Sequence, residues 1–583
     1  MDRNAEVHFS QVPQVELNRS KFKRNHTHKT TLNAGDLIPI YIDKDIMPGD
    51  TVKMDFGMLL REQTPLFPVM DEAYIDLFFF FIPHRLVWNH WKAFWGENEE
   101  AAWTQTTEYT EPQIKIPPLK GWDTGSIADY MGIPVYVPGG NVETVSALPF
   151  RAYCQVINDW FCDENLVTPI YFAKDETTIT GQRKDCNDSG TTEEYDQASM
   201  LVRGGKPFKV AKFHDYFTSC LPDPQKGDPV SIGMTGQAKV MWKGDDESGD
   251  ITIPGTNTSW ISENQETDAL IREVYNESMA QPFYATDLYY NNNGTASRIP
   301  VSTNNFKMAR LIADLSSATA ITINQLREAF AIQTLYEARA RYGTRYIETI
   351  RGIFGVQSPD ARLQRSELLG SKRIRINMDQ VLQTSATEAN MTPQGNTAAF
   401  SCTANGGELF TSSFTEHGTL LGLACIRTKH TYQQGLERMW SRKEVLDYYV
   451  PQLANLGEQA VLNKEIYLQT GSEESTVNNE TFGFQERWAE YRYKPDRISG
   501  ELRSNSKDQS GNSDSLDFMH YGDDYETLPT LSAEWIEETE ENVNRTIAVT
   551  SGVSMQYFAD FYFEPIYTRP MPMYSIPGLG SYL

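Results

Sequence analysis

Short apolar runs alternate with turn-forming residues over most of the chain, a pattern that predicts many brief strands joined by long loops. Asp36 to Ile42 (DLIPIYI) and Thr51 to Arg61 (TVKMDFGMLLR), separated by Met47-Pro-Gly-Asp50, predict consecutive strands. Tyr74 to Ile82 (YIDLFFFFI) becomes continuously apolar before Pro83, which suits a strand buried on both faces in a sheet packed against another layer. Far along the chain, Gly418 to Thr428 (GTLLGLACIRT) is apolar throughout. Val553 to Phe563 (VSMQYFADFYF) alternates, placing Val553, Met555, Tyr557, Ala559, Phe561 and Phe563 on one face. A sheet built from strands this distant in sequence points to an antiparallel sandwich with large insertions between strands.

Two segments carry helical periodicity instead. In Leu148 to Leu166, Pro149 suits the first turn, and Phe150, Tyr153, Cys154, Ile157, Trp160 and Phe161 repeat at helical spacing. In Thr322 to Tyr342, Thr322 and Gln325 form a capping-box pair, and Leu326, Phe330 and Leu335 mark an apolar face. Both read as packing elements. Between them, Asp228 to Asn305 is dense in Gly, Asn, Thr and Asp and reads as an insertion of surface loops. Its aromatics Trp242, Trp260, Phe283, Tyr284, Tyr289 and Tyr290 are too numerous for a disordered linker, which predicts a small ordered excursion.

Composition narrows the class. The 583 residues would ordinarily suggest about four domains, a prior that large all-β folds break. The formal net charge is -26, yet Leu17 to Gly35 carries Arg19, Lys21, Lys23, Arg24 and Lys29 without one carboxylate. A basic arm on an acidic body separates two electrostatic tasks, since the arm attracts polyanions that the body repels. Apolar stretches long enough to span a membrane do not occur, and Met1 to Ser20 has no apolar core of a secretory signal, so folding in a cytoplasm is expected. Six cysteines, none in a Cys-x-x-Cys pair, argue against a disulfide scaffold or zinc ribbon.

The sequence carries no catalytic signature. The phosphate loop, the dinucleotide fingerprint, the zincin helix, the hydrolase elbow and the EF-hand loop are all missing from the sequence. His26 and His28 have no third ligand nearby, so no metal site is predicted. Glu486 and Glu490, beside Trp488 and Tyr491, have the composition of a sugar-cleaving pair, but interleaved Arg487 and Arg492 favour ion-paired structure. A second basic stretch, Arg339 to Arg375, includes Arg339, Arg341 and Arg345 with Tyr342, Tyr346 and Phe354 interleaved. That composition suits either single-stranded nucleic acid or salt bridges between subunits. Tyr521 to Asn544 has eight carboxylates and no Lys before Arg545, and reads as a face for a basic partner or a subunit contact.

Several blocks resemble the major capsid proteins of gokushovirus-type microviruses. They are Phe9 to Tyr41, Leu148-Pro-Phe-Arg-Ala-Tyr153, Asp215-Tyr-Phe-Thr-Ser-Cys-Leu-Pro222, Ser358 to Arg365, Tyr432 to Trp440, Leu456-Gly-Glu-Gln459 and Phe484 to Pro495. The resemblance covers nearly the whole chain and is weakest over Asp228 to Asn305. It implies a non-enzymatic coat protein with no cofactor, mainly β, folded as an eight-stranded antiparallel viral jelly roll with large loop and helix-containing insertions. Residues 1–35 would form a basic arm, 36–583 the jelly roll, and 228–305 a surface insertion protruding at the threefold axes and meeting the host. The implied partners are further copies in a T=1 shell, single-stranded DNA, other virion proteins and a bacterial surface receptor, with no membrane insertion, and the acidity of the body adds a small basic packaging protein. The expected location is the virion, assembled in the host cytoplasm. Arg19, Lys21, Lys23, Arg24, Lys29, Arg339, Arg341 and Arg345 become inner-surface candidates, and the six aromatics of the insertion host-facing ones. The rival reading is a jelly-roll carbohydrate-binding protein or glycosidase.

Overall fold

In the computed structural model the protein is described at residues 18–97, 109–138, 143–184, 197–228, 239–243, 287–292, 295–300, 310–314, 323–342, 346–357, 359–360, 364–382, 384, 397–470 and 474–574. Two antiparallel sheets form its centre. The labelled strands are β1 (Ser20–Lys23), β2 (His26–Leu32), β3 (Asp36–Ile46), β4 (Thr51–Glu62), β5 (Ala73–Pro83), β6 (Phe208–Lys209), β7 (Glu367–Arg375), β8 (Thr403–Ser413), β9 (Gly418–Thr428) and β10 (Tyr557–Arg569). One sheet runs β1-β10-β4-β8, with β2 also paired to β10, and the other runs β7-β5-β9-β3-β6. Among the described residues each sheet has five strands, so the expected jelly-roll count of eight in all is not confirmed. The excess arises because β1 and β2 share one edge of β10, and β6 adds only two residues beside β3.

The two sheets differ in burial for a simple reason. On β4 and β10, buried and exposed positions alternate, so one face meets the core and the other meets solvent. On β5 and β9 almost every residue is buried, because this sheet is covered on both sides. Phe79 enters the sandwich core beside Tyr41, Phe410 and Phe563. Phe80, pointing the other way, meets Trp160 and Phe161. Those two rings belong to a layer built on helix α1 (Leu148–Val156), which continues as one π-helical turn, Ile157–Phe161. Burying each such ring contributes roughly 1.5–3 kcal/mol.

Several boundaries shift from the sequence reading. The last strand starts at Tyr557, leaving Val553 exposed in a turn, and it runs on past Pro565 to Arg569. Pro565 is tolerated because it falls opposite the break between β1 and β2. A missing N–H costs least there, and the Pro565 carbonyl still accepts from Arg24 N at 3.1 Å. The predicted second helix is present as α2 (Ile323–Tyr342), but Leu326 and Phe330 on its expected apolar face are exposed rather than packed. Thr322, half of the expected capping pair, lies outside the described residues. The five described cysteines are free thiols, and Cys186 lies outside.

The chain divides into two compact units, Met1–Lys226 with Tyr336–Leu583, and Gly227–Leu335. Within the smaller unit, Lys239–Lys243 pairs with Arg310–Asp314, and Asp287–Asn292 forms a hairpin with Thr295–Pro300. The larger unit holds, besides the sandwich, a cluster of Tyr216, Phe217, Val461, Ile466 and Phe482 around the hairpin of Glu458–Leu462 and Thr481–Glu486.

Candidate functional site

The described part of the basic arm is a sheet edge. Its register sets Lys29 opposite Asp560, His28 opposite Phe561 and Phe22 opposite Tyr567. Side chains alternate across a strand, so Phe22, His26 and His28 share the face that carries Phe561 and Phe563 into the core. Lys21, Lys23 and Lys29 share the solvent face, with Lys53 of β4 on the same side. The His28 ring engages the Ile40 carbonyl at 2.8 Å through Nδ1, and the His26 ring engages the Arg24 carbonyl at 3.0 Å. Both histidines thus serve structure.

The five arm cations have three different fates. Arg24 turns back into the protein, where it pairs with Asp43 and lies 5.0 Å over the ring of Tyr567. Arg569 approaches the same ring at 4.5 Å and pairs with Asp50 at 3.1 Å. The Tyr567 hydroxyl donates to Asp43 at 2.7 Å and lies 2.6 Å from the Tyr41 hydroxyl. Burial pushes the Tyr41 phenol up to about 12, so it stays protonated as this network requires. Lys29 sits 3.7 Å from Asp560, a loose exposed pair. Arg19, Lys21 and Lys23 are in no ion pair among the described residues.

The second basic stretch does not form one surface. Arg341 pairs with Glu458, Arg365 with Asp360 at 3.3 Å, Arg375 with Glu72 at 3.3 Å, and Arg373 with the buried Asp76 at 2.7 Å. Arg339 is half-buried, and Arg345 lies outside the described residues. The salt bridges anticipated between subunits are, for these four arginines, made within the chain. Of the insertion aromatics, Trp242 is paired with Leu311, Tyr289 with Arg298 and Tyr290 with Ser297 in their strands. Trp260, Phe283 and Tyr284 lie outside the described residues.

Sequence reasoning missed a buried ionic cluster. His430 at the end of β9 holds Asp523 at 2.9 Å through Nδ1 and Glu538 at 2.9 Å through Nε2. Thr428 donates to Glu538 at 2.6 Å, Asn542 donates to Asp523 at 2.7 Å, and Lys212 lies 4.0 Å from Asp523. Burial alone would favour a neutral ring, yet the two carboxylates outweigh it and push His430 up to about 10. Burial also works against the Asp523 charge, but His430 and Lys212 hold its carboxyl well below the usual range. The acidic stretch Tyr521 to Asn544 is therefore in part interior. Glu538 is fully buried, and Glu540 joins Asp36 around Lys209 at 2.8 and 2.9 Å.

Comparison with known proteins decides what such a molecule is. Residues 10–579 match the family described as capsid protein (F protein). The chain belongs to that capsid-protein family. Capsid protein VP1 of Spiroplasma virus 4 is 40% identical over 99% of this chain and 98% of its own length. The VP1 proteins of Bdellovibrio phage phiMH2K and Chlamydia phage 1 are 38% and 36% identical, covering 99% and 98% of this chain and 98% and 97% of their own lengths. The resemblance read from the sequence blocks is thus borne out. As a member of the F-protein family the chain is a structural component of the virion and not an enzyme. Glu486 and Glu490 agree with that role, being paired with Arg492 and, at 3.4 Å, with Arg442. Among the described residues no helix is long and apolar enough to cross a membrane.

Proposed function

We propose that this chain is the subunit of a T=1 icosahedral shell enclosing a circular single-stranded DNA genome. The observation that carries this reading is the match to capsid proteins along nearly the whole chain. Closed symmetric assembly removes the sheet edge and covers exposed apolar side chains that a free monomer would leave wet.

In this reading the solvent face of β1 and β2 looks inward, so that Arg19, Lys21, Lys23 and Lys29 meet DNA backbone while Arg24 fastens the arm. The support is the alternation that puts the three lysines on one face. So few cations per subunit cannot neutralise a genome, which calls for a small basic packaging protein alongside. Residues 228–305, together with the remainder of the smaller unit to Leu335, form the surface protrusion and carry host attachment. Cryo-electron microscopy of particles made from this chain tests the shell and the inward-facing arm. Closed T=1 shells with the arm lysines lining the lumen are expected, and open sheets, or an arm on the outer surface, would contradict it.

A further inference from the structure

Residues 438–449 leave several large apolar side chains uncovered in turns fixed by local hydrogen bonds. Val445 is 79% exposed and Trp440 68%, with Leu446, Tyr448, Tyr449 and Tyr491 exposed beside them. The strip has no sheet to stiffen it, yet its turns are pinned. Asp447 accepts from the Lys443 and Glu444 amides at 2.8 and 2.9 Å, and the Tyr449 amide donates to the Tyr491 hydroxyl at 3.1 Å. Arg442 is laid against the rings of Tyr491 at 4.4 Å and Tyr448 at 5.4 Å. An open cavity of about 750 Å³ borders it, with Trp440, Arg442 and Tyr491 in its wall.

Monomeric proteins seldom expose so much apolar surface in one place, and a rigid exposed patch is the form that binding surfaces take. We infer that this strip is a contact between neighbouring copies of this chain in the shell, an inference that rests on the shell-forming reading above. Area and charge both favour a second copy. Side chains of this size expose on the order of 700 Å² here, close to the roughly 800 Å² that one partner contributes to a standard interface. Five of the six cations lining the cavity are paired within the chain, Arg438 to Glu465, Arg442 to Glu490, Arg492 to Glu486, and both Lys494 and Arg497 to Glu437, while Arg503 donates to the Gln433 carbonyl at 3.0 Å. A rim neutralised from within offers a polyanion little field, and it suits the mixed-sign border of a protein contact. The cavity then takes a protruding side chain of the neighbour, in the manner of an interface anchor.

Hydroxyl-radical oxidation of Trp440 and Tyr448 tests this in three preparations: unassembled subunits, empty shells of this chain alone, and DNA-filled particles. In empty shells both residues are expected to react at least about tenfold more slowly than in free subunits. Equal reaction in shells and subunits would overturn the inference. Protection confined to filled particles would also overturn it and give the strip to nucleic acid. As a second measurement, Val445→Asp with Leu446→Asp should cut shell yield by about tenfold at an unchanged melting temperature of the free subunit. Normal yield would sink the proposal, whereas failure of the unaltered chain to form any shell would overturn the assembly reading beneath it.

Discussion

The Arg24 guanidinium lies 5.0 Å over the ring of Tyr567 and pairs with Asp43, so one arm cation is a fastener rather than a free charge. A second guanidinium, that of Arg569, approaches the same ring at 4.5 Å. Replacing Arg24 by Ala leaves the buried Asp43 carboxylate with the Tyr567 hydroxyl at 2.7 Å, the Asp45 amide at 3.1 Å and Arg569 at 3.9 Å. A loss of about 1–3 kcal/mol is expected in chemical denaturation of the free subunit. Arg24→Lys should recover only part of it, because an ammonium cannot stack as a planar fork does.

The neighbouring lysines should behave in the opposite way. Lys21→Ala, Lys23→Ala and Lys29→Ala are each expected to change stability by less than about 0.5 kcal/mol. They should weaken binding to an oligothymidine and lower its salt dependence by roughly 0.7 in slope per lysine removed. A salt titration that gives the same slope for the triple variant as for the parent would remove the arm from the DNA contact.

Removing His430 leaves Asp523 and Glu538 buried with too little positive charge. His430→Gln is expected to cost about 3–5 kcal/mol, visible as a collapse in soluble yield or in the urea midpoint.

The same residue sets an alkaline limit. Its folded pKa, about 10, lies above the ordinary 6.5, so its contribution is full below pH 6.5 and is lost as pH rises through about 10. Asp523 is shifted the other way, and its contribution is present above the ordinary 3.8 and lost as pH falls below it. Urea midpoints of the parent should fall between pH 7 and 10, and this fall should be smaller in His430→Gln if the variant can be purified.

Gly35 joins β2 to β3 at a φ of +83°, and a Cβ there would lie 2.3 Å from the Glu538 carbonyl oxygen. Gly35→Ala therefore combines a left-handed backbone with a backbone clash. A loss of at least about 2 kcal/mol is expected by denaturant titration, with the arm and the acidic segment forced apart.

Deleting residues 244–294 should leave the melting transition of the larger unit and the formation of shells in place while abolishing adsorption to host cells. Normal adsorption would show that attachment lies elsewhere, and loss of shells would make the smaller unit an assembly element.

Legibility in the sequence followed the range of the forces involved. Phe78 to Phe81 announced a strand covered on both faces, and periodicity alone sufficed for that. Which ring entered which core depended on α1 and on β10, elements that no local window contains. The charge of the arm was evident, but its sheet pairing was not, because the partner strand β10 is formed hundreds of residues later. The acidic stretch was misread in part for the same reason. Asp523 and Glu538 look like solvated carboxylates until His430 and Lys212 are brought beside them. The exposed strip at Trp440 and Val445 was not seen at all, since an apolar residue in a turn gives no sign of whether it will be covered.

By itself the sequence determined the class of molecule: mainly β, assembled from distant strands, without catalytic motifs, and built of blocks that belong to phage capsid proteins. Composition, short-range periodicity and motif content are properties of the chain before it folds. Tertiary structure alone decided which of five similar cations is structural, which carboxylates are interior and which hydrophobic side chains remain outside. Each of those outcomes depends on desolvation and on neighbours supplied by long-range pairing, and a charge has no assigned role until the fold sets its partner and its distance from water.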